Sequence, residues 1–193
     1  GDAYRARHCG YAAYAHSSFG PEARRGAIET MIEIKRADSS HVLGIAEVCA
    51  QANRATYGEI YAKEYLEEII AKYYTPERIA MEVGSPTRAW GGYWVAVEKD
   101  RVLGAGGGGM IGDAESEIYA LYVSPDRRNE GIGSLLIEAI TAQQKEYGAA
   151  VQWISVQKGN HKGIPFYEAR GFEWQGEEEE EHGYLSLRYR REI

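Results

Sequence analysis

The chain has 193 residues, of which 44% are hydrophobic and 26% are charged, and its formal net charge is −7. That composition is too apolar for wholesale disorder and predicts one globular domain with a single core. The acidic balance argues against a nucleic-acid partner, which normally requires a basic surface, and fits a cationic partner better. No run of about 18 apolar residues occurs, so we expect no membrane span.

The N-terminal segment, residues 1–30, shows no clear apolar period and lacks the apolar core of a secretory signal. Met31 then begins the run M-I-E-I-K-R-A-D, which is typical of an opening strand. We therefore predict a domain over residues 31–193, preceded by a leader added for expression or, alternatively, by a native extension, with a transit peptide as the less favoured explanation. Cys9 and Cys49 make neither a disulfide framework nor a metal site, so a reducing cytoplasm is the expected location.

The first half of the domain has the spacing of helices. Residues 38–40, read as Asp-Ser-Ser, offer N-cap oxygens to a helix over residues 41–55, whose apolar positions recur at helical spacing. A second helix is predicted over residues 61–74. Pro76 suits the opening of a third helix over residues 77–83.

The second half changes to the period of strands and then alternates strands with helices. The first three strands form an antiparallel meander. The predicted elements are strands over residues 90–98, 102–111 and 117–123, a helix over 134–147, a strand over 152–156, a helix over 161–170, and closing strands over 172–176 and 184–190.

The junction between the third of these strands and its helix reads R-N-E-G-I-G, from Arg128 to Gly133. Glycines let the backbone approach an anion closely and adopt positive φ angles. Because the loop opens a helix, its free N–H groups coincide with the positive end of the helix dipole. Arg128 adds a permanent charge. The pattern predicts a loop that holds a pyrophosphate.

A glycine cluster between residues 104 and 112 contains formal G-x-G-x-x-G matches, for example Gly107, Gly109 and Gly112. The dinucleotide-binding fingerprint requires a helix immediately afterwards, whereas here another strand follows. The cluster predicts a thin, bulged strand, and the alternative is that its missing side chains leave room for a substrate.

A second motif, N-H-K-G-I-P-F-Y-E-A-R-G-F, runs from Asn160 to Phe172. With the phosphate loop, it resembles the GNAT superfamily of acetyl-CoA-dependent N-acetyltransferases over roughly residues 31–193. The resemblance implies an α/β (α+β) fold, in which helices flank a mixed, mostly antiparallel sheet of six to seven strands. It also implies an acyltransferase that moves the acetyl group of acetyl-CoA directly to a primary amine of a small molecule or protein. A non-catalytic acyl-CoA sensor is the alternative.

The resemblance further implies which residues hold the coenzyme. The backbone of Leu121 and Val123 would pair with the pantetheine arm, and Asn160 would contact the coenzyme as well as cap its helix. The residues expected around the pyrophosphate are Arg128, Asn129, Gly131, Ile132, Gly133 and Ser134.

Two residues carry the expected chemistry. Tyr167 occupies the family's position for the tyrosine that protonates the leaving sulfur, and an aromatic packing role is the alternative. Glu117 is the expected base that deprotonates the amine through water, with Glu115 and a water chain ending on Tyr119 as competitors. A solvated residue at the start of a strand is the simpler explanation of Glu117. The histidines lack ligand spacing, so no metal is implied.

The acceptor pocket is expected to come from the first two helices, the loop over residues 56–61 and the hairpin near Glu177, and the tyrosines and tryptophans between residues 57 and 94 supply many aromatic side chains there. The acidic run over residues 177–181 is typical of a solvated hairpin tip, and a polyamine-attracting patch is the alternative. The sequence leaves the identity of the amine and the oligomeric state open. Dimers are common in the family, so a homodimer is one expected assembly.

Overall fold

The structure is a computed structural model that describes residues 31–193. The predictions made for residues 1–30 lie outside this range. The elements in chain order are β1 (Glu33–Arg36), α1 (Val42–Tyr57), α2 (Lys63–Tyr73), α3 (Pro76–Gly84), β2 (Trp94–Glu98), β3 (Arg101–Met110), β4 (Glu115–Val123), α4 (Ile132–Glu146), β5 (Val151–Gln157), α5 (Gly163–Glu168), β6 (Glu173–Glu179) and β7 (Leu185–Glu192).

The strands form one seven-stranded sheet in the order β1-β2-β3-β4-β5-β7-β6. Every neighbouring pair is antiparallel except β4 and β5, which are parallel. Both α1 and α4 pack against β3 and β4 at the centre of the sheet. The predicted fold class is therefore confirmed. Within residues 31–193, no helix is long and apolar enough to cross a membrane.

The start of α1 follows the predicted cap. The carboxylate of Asp38 accepts a hydrogen bond of 2.8 Å from the amide of Ser40 and opens a short 3-10 turn that leads into the helix. The helix then continues to Tyr57, two residues beyond its predicted end, because the side chains of Ala52 and Tyr57 are fully buried. Packing therefore extends this helix past the point where its apolar spacing fades.

The strand predicted over residues 90–98 is four residues too long at its start, because β2 begins at Trp94. Gly92 has a φ of +83°, which interrupts an extended strand. The segment before it crosses the glycine-rich β3 instead, and the amide of Gly91 donates to the carbonyl of Gly108 at 2.8 Å. A Cβ atom on Gly107 would lie 2.7 Å from the Trp90 ring. The glycines thus permit this close crossing.

The opposite face of β3 is equally close to α4. A Cβ atom on Gly104 would lie 3.0 Å from the Leu136 side chain, and one on Gly106 would lie 3.0 Å from Ile140. The space above the glycines is filled by the protein itself. The thin-strand prediction is confirmed, and the alternative that these positions leave room for a substrate is wrong. Since β4 follows β3 directly, the rejection of a dinucleotide loop is also confirmed.

Two C-terminal elements differ from their predicted bounds. The helix predicted over residues 161–170 is limited to α5, and tight turns replace its last residues. The strand β6 continues to Glu179, so most of the acidic run lies in a strand and not at a hairpin tip. The tip itself is a 3-10 turn over Glu181–Gly183, in which His182 and Gly183 both have positive φ angles.

Candidate active site

The sheet opens between its two parallel strands. Residues Glu115–Glu117 of β4 pair with Val151–Trp153 of β5, after which β5 continues alongside β7 to Gln157. On the other side of β4, Gly108 faces Ile118 while Gly107 faces Ala120, which leaves Tyr119 as an extra residue. Such a bulge increases the local twist of a strand. It therefore turns the C-terminal half of β4 away from β5 and opens a gap.

The backbone groups of Leu121 and Val123 line this gap. The amide of Ser124 donates to the carbonyl of Leu103 at 2.7 Å, so Ser124 and Tyr122 direct their backbone groups toward β3. Because successive residues of a strand point their N–H and C=O groups to opposite sides, Leu121 and Val123 direct theirs toward the gap. This arrangement fits an amide-rich chain that pairs as an additional strand.

The predicted phosphate loop has the backbone of an anion site. Asn129 has a φ of +66° and Gly131 a φ of +79°, and Gly131 is the N-cap of α4. No side chain caps this helix, whereas the Thr75 side chain caps α3. The amide of Leu135 donates to the carbonyl of Gly131 at 3.1 Å, which closes the first turn of α4. The preceding amides are those that a helix leaves for an outside acceptor.

The charges around the loop are arranged in favour of an anion. Arg127 binds the carboxylate of Glu98 at 2.6 Å and that of Glu130 at 2.7 Å, which neutralises the acidic side chains beside the loop. Arg128 is half-buried, and desolvation lowers the pKa of its guanidinium below the ordinary value. A half-buried arginine gains more from an anionic ligand than an exposed one does, because less water competes for it.

Ser134, in the first turn of α4, connects that helix to α5. Its hydroxyl accepts a hydrogen bond from Nη2 of Arg170, whose guanidinium lies 3.5 Å above the centre of the Phe166 ring. Sequence reasoning did not assign a role to Arg170. It belongs to the same R-G-F segment as the second motif, but its reach to Ser134 depends on how the two helices pack.

Asn160 and Tyr167 occupy the α5 side of the site. The side-chain oxygen of Asn160 accepts a hydrogen bond of 3.0 Å from the amide of Gly163, the first residue of α5, but the N-cap of this helix is Lys162, two residues later than predicted. Tyr167 is completely buried between Phe166 and Phe172, whose rings are nearly perpendicular to its own. Burial raises the pKa of Tyr167 well above its usual value, so the phenol keeps its proton.

Glu117 lies at the last paired position of β4, where the gap begins. It is buried, and its carboxylate accepts a hydrogen bond from Nη1 of Arg188, which also donates to the Ser155 hydroxyl at 2.7 Å. The simpler explanation of Glu117 as a solvated residue is therefore wrong. Sequence reasoning did not find Arg188, because its contact with Glu117 spans 71 positions of the chain.

The expected acceptor side is a cluster of aromatic residues. The rings of Tyr65 and Tyr184 stack with centres 5.0 Å apart, and the Tyr61 ring meets Tyr184 edge-on at 4.6 Å. The Tyr184 hydroxyl accepts a hydrogen bond of 2.9 Å from the amide of Ala62. These contacts bring the end of the β6–β7 hairpin against the start of α2. The elements predicted to surround the acceptor do come together.

The acidic residues of the hairpin tip lie within electrostatic range of this cluster. Burial is the main cause that raises the pKa values of Tyr57, Tyr61 and Tyr65, and the negative charge of Glu180 raises each of them further. Glu181 acts on Tyr65 in the same direction. A cation at the edge of this cluster, beside the partly buried Tyr184, would meet an aromatic ring and these carboxylates.

Comparison with known proteins gives a consistent result. Residues 49–172 match the model of the family described as acetyltransferase (GNAT) family. A spermidine N(1)-acetyltransferase from Thermoplasma acidophilum is 26% identical over 148 residues, which is 73% of this chain and 88% of the relative. A ribosomal protein bS18-alanine N-acetyltransferase from Escherichia coli K12 is 31% identical over 58 residues, covering 30% of this chain and 39% of that protein.

The fold has solved counterparts. The crystal structure of a PaiA N-acetyltransferase from Thermoplasma acidophilum in complex with coenzyme A superimposes with a TM-score of 0.70. The match covers 82% of this chain and 98% of that one, at 23% sequence identity. At this identity the superposition establishes the fold alone.

Proposed function

Because this chain belongs to the acetyltransferase (GNAT) family, we propose that it moves the acetyl group of acetyl-CoA directly to a primary amine on a cationic small molecule. The gap between β4 and β5, which begins at Glu117 and leads to the uncapped start of α4, is the observation that carries the proposal. A thioester-bearing arm in the gap and a pyrophosphate at the helix would occupy one continuous surface.

The residues that hold acetyl-CoA in this proposal line the gap between β4 and β5 and the start of α4. Leu121 and Val123 would bind the pantetheine amides as a neighbouring strand does. Asn129, Gly131, Ile132, Gly133 and Ser134 would surround the pyrophosphate with backbone and hydroxyl groups, and Arg128 would add charge. Asn160 would contact the arm from the start of α5.

Acetyl-CoA supplies an activated acyl group, whose C–S bond breaks as a C–N bond to the amine forms. Tyr167 would donate its phenolic proton toward the sulfur as negative charge develops there. A free phenol, with a pKa of about 10, is a weaker acid than a free thiol at about 8.5, so complete transfer in water would be uphill. Burial raises the pKa of the leaving thiol as well as that of the phenol, so a hydrogen bond from Tyr167 would stabilise the thiolate as the C–S bond breaks.

The amine must lose a proton before or during its attack. An alkylammonium with a pKa of about 10.4 is neutral in fewer than roughly one molecule in a thousand at pH 7, so a proton acceptor is required. Glu117 would serve as that base through a water molecule, because it lies where the gap begins. Arg188 would orient the carboxylate by its hydrogen bond.

A polyamine suits the acceptor side best. The partly buried ring of Tyr184, which stacks on Tyr65, would provide the cation–π contact, and Glu180 and Glu181 lie close enough to affect the tyrosines. The net charge of −7 favours the approach of a cation. The similar protein named as a spermidine acetyltransferase supports the same class of acceptor.

The test is a free-thiol release assay with acetyl-CoA and a panel containing spermidine, butylamine, an aminoglycoside and a peptide. We expect the highest kcat/KM for spermidine. This kcat/KM should fall as added salt screens the attraction between the polyamine and the acidic protein. Glu180→Gln should raise KM for spermidine more than for butylamine, while the exposed Glu47→Gln on α1 should change neither. Coenzyme binding without thiol release for any amine would contradict the proposal and favour a non-catalytic sensor.

A further inference from the structure

A cleft of about 650 Å³ runs along the outer face of α4, between that helix and the residues that follow α5 and end β7. Ser134 lies at one end of it and Lys145 farther along the same helix, with Arg170 and Arg191 on the opposite wall. The cleft lies outside the gap between β4 and β5 but shares Ser134 with the phosphate loop. It is therefore a continuation of the proposed coenzyme surface.

Arg170 is held in place by neutral groups. Its Nη1 donates to the carbonyl oxygen of Phe166 at 2.7 Å, its Nη2 donates to the Ser134 hydroxyl, and its guanidinium carbon lies 3.5 Å from the centre of the Phe166 ring. This arrangement fixes the plane of the guanidinium, so little side-chain entropy remains to be lost when an anion binds.

Arg191 is held in the same way. It donates to the Gln152 side chain at 2.9 Å, to the carbonyl oxygen of Arg170 at 2.9 Å and to the Thr141 hydroxyl at 3.0 Å. Its guanidinium also lies 4.6 Å from the centre of the Phe172 ring. Because these acceptors are neutral, they orient the guanidinium of Arg191 but do not neutralise its positive charge.

The two arginines repel one another. Burial lowers the pKa values of Arg170 and Arg191, and the charge of Arg170 lowers that of Arg191 further. Glu138 is the carboxylate among the lining residues, and it faces three cations because Lys145 also lines the cleft. A local excess of positive charge in a chain of net charge −7 marks a place where an anion is favoured.

We propose that this cleft binds a phosphate monoester and that its ligand is the 3′-phosphate of coenzyme A. Ser134 is three residues beyond Gly131, so the cleft begins roughly 4.5 Å along α4 from the proposed pyrophosphate site. Planar guanidinium groups form paired hydrogen bonds with the oxygens of a phosphate. A phosphate monoester also carries more negative charge than either phosphate group of the pyrophosphate, because each of those is bonded on two sides. The inference rests on the proposed function, because it extends the same coenzyme site.

The test compares coenzyme A with dephospho-coenzyme A by calorimetry on the full chain. The unchanged protein should bind coenzyme A about 10- to 100-fold more tightly, as expected for charge-assisted hydrogen bonds. Arg191→Gln and Lys145→Gln should reduce that ratio, and Glu138→Gln should increase it. The matched control Lys35→Gln, on the edge strand β1, should leave it unchanged. Because Lys145 and Glu138 are exposed, these two variants test the proposal even if Arg191→Gln fails to fold.

The outcomes distinguish the 3′-phosphate site from the proposed function. Equal affinity for both ligands, or a ratio that none of the cleft variants changes, overturns the 3′-phosphate site and leaves the proposed function intact. Failure to bind either ligand contradicts the proposed function itself. A titration with inorganic phosphate distinguishes the source of the anion, because it should weaken binding of coenzyme A and not that of dephospho-coenzyme A. Phosphate that binds at the cleft alongside coenzyme A would overturn the assignment.

Discussion

Glu117 of β4 and Arg188 of β7 form a buried ion pair that spans β5, the strand between them. The exposed fractions of their side chains are 3% and 16%. The pair lies where β4 parts from β5, so it holds three strands together at the start of the gap. A carboxylate in this position has a structural role, and we propose that it also acts on the amine at the site of reaction.

We predict that Glu117→Gln lowers kcat by about 10²- to 10⁴-fold, the usual contribution of a general base. If the carboxylate acts as the base, the deficit should shrink as pH rises, because more of the amine is then already neutral. The pH dependence of kcat/KM for a primary amine measures this effect. Glu115→Gln is the matched control, since Glu115 lies two positions away on the same strand and accepts a hydrogen bond from Trp153.

A deficit of Glu117→Gln that stays constant from about pH 7 to about pH 10 would instead indicate a structural role. In that case Arg188→Gln should cause a similar loss of activity. Removing one member of a buried pair leaves the other charge uncompensated, which typically costs about 3 to 5 kcal/mol of stability. Urea unfolding of both variants separates lost stability from lost chemistry.

Tyr167→Phe should reduce kcat by about 10²- to 10⁴-fold, or roughly 3 to 5 kcal/mol of barrier, and should leave the affinity for coenzyme A nearly unchanged. Tyr57→Phe is the control, because Tyr57 is also fully buried and its hydroxyl makes no hydrogen bond within the described residues. Thiol release under saturating substrates measures kcat. Similar turnover in both variants would assign Tyr167 to packing between Phe166 and Phe172.

Charge reversal at Arg128 should weaken coenzyme A binding by about tenfold or more, since it replaces attraction for the pyrophosphate with repulsion. Lys35→Glu makes the same change of charge on the edge strand β1 and should have little effect. Calorimetry at two salt concentrations measures the difference, which should shrink at the higher one. Equal losses of coenzyme A affinity in both variants would show that the overall charge of the protein, and not the position of Arg128, causes the effect.

The elements that sequence reasoning predicted well are those with strong local signals. The Asp38 cap, the Pro76 start of α3 and the R-N-E-G-I-G junction before α4 each depend on residues within a few positions of one another. Local backbone chemistry determines them, so they can be predicted without tertiary structure. The mixed sheet followed from the order of these elements and from the resemblance.

Features that depend on long-range contacts could not be predicted in the same way. The shortened start of β2 results from the crossing of residues 89–92 over β3, which only the packed sheet reveals. Arg170 and Arg188 act through partners 36 and 71 positions away. Their residue type is unremarkable in the sequence, and their roles arise from which strands and helices become neighbours.

Because several tyrosines are buried, we predict that the protein loses stability at alkaline pH. Burial raises the pKa values of Tyr57, Tyr61 and Tyr167 in the folded chain above the unfolded value of about 10. Above that pH the unfolded chain releases phenolic protons that the folded chain retains, so the free energy of unfolding falls as pH rises. Each fully buried tyrosine contributes a slope of about 1.4 kcal/mol per pH unit.

Urea unfolding between about pH 8 and about pH 11 measures this dependence. At the lower end of this pH range the buried tyrosines should not change the free energy of unfolding. At the upper end they should make it fall steeply. Tyr57→Phe should make the fall shallower by the contribution of one tyrosine. A free energy of unfolding that stays constant to about pH 11 would contradict the assignment of these side chains as buried phenols.

Gly131 has a φ of +79°, which places it in the left-handed region at the start of α4. A Cβ atom there would meet no other atom within 4 Å, so any effect of substitution must come from backbone conformation or from a bound ligand. Gly131→Ala should lower the free energy of unfolding by about 1 kcal/mol and weaken coenzyme A binding, because the loop amides would turn from their present directions.

Two variants separate conformation from size at this position. Gly131→Asn carries a larger side chain but tolerates positive φ better, so it should lose less stability than Gly131→Ala. Gly84→Ala is the control, because Gly84 ends α3 with the same open surroundings and an ordinary φ, and it should change stability by less than about 0.5 kcal/mol. If the stability loss at residue 131 instead increases with side-chain size, crowding and not the left-handed backbone would explain the requirement for glycine.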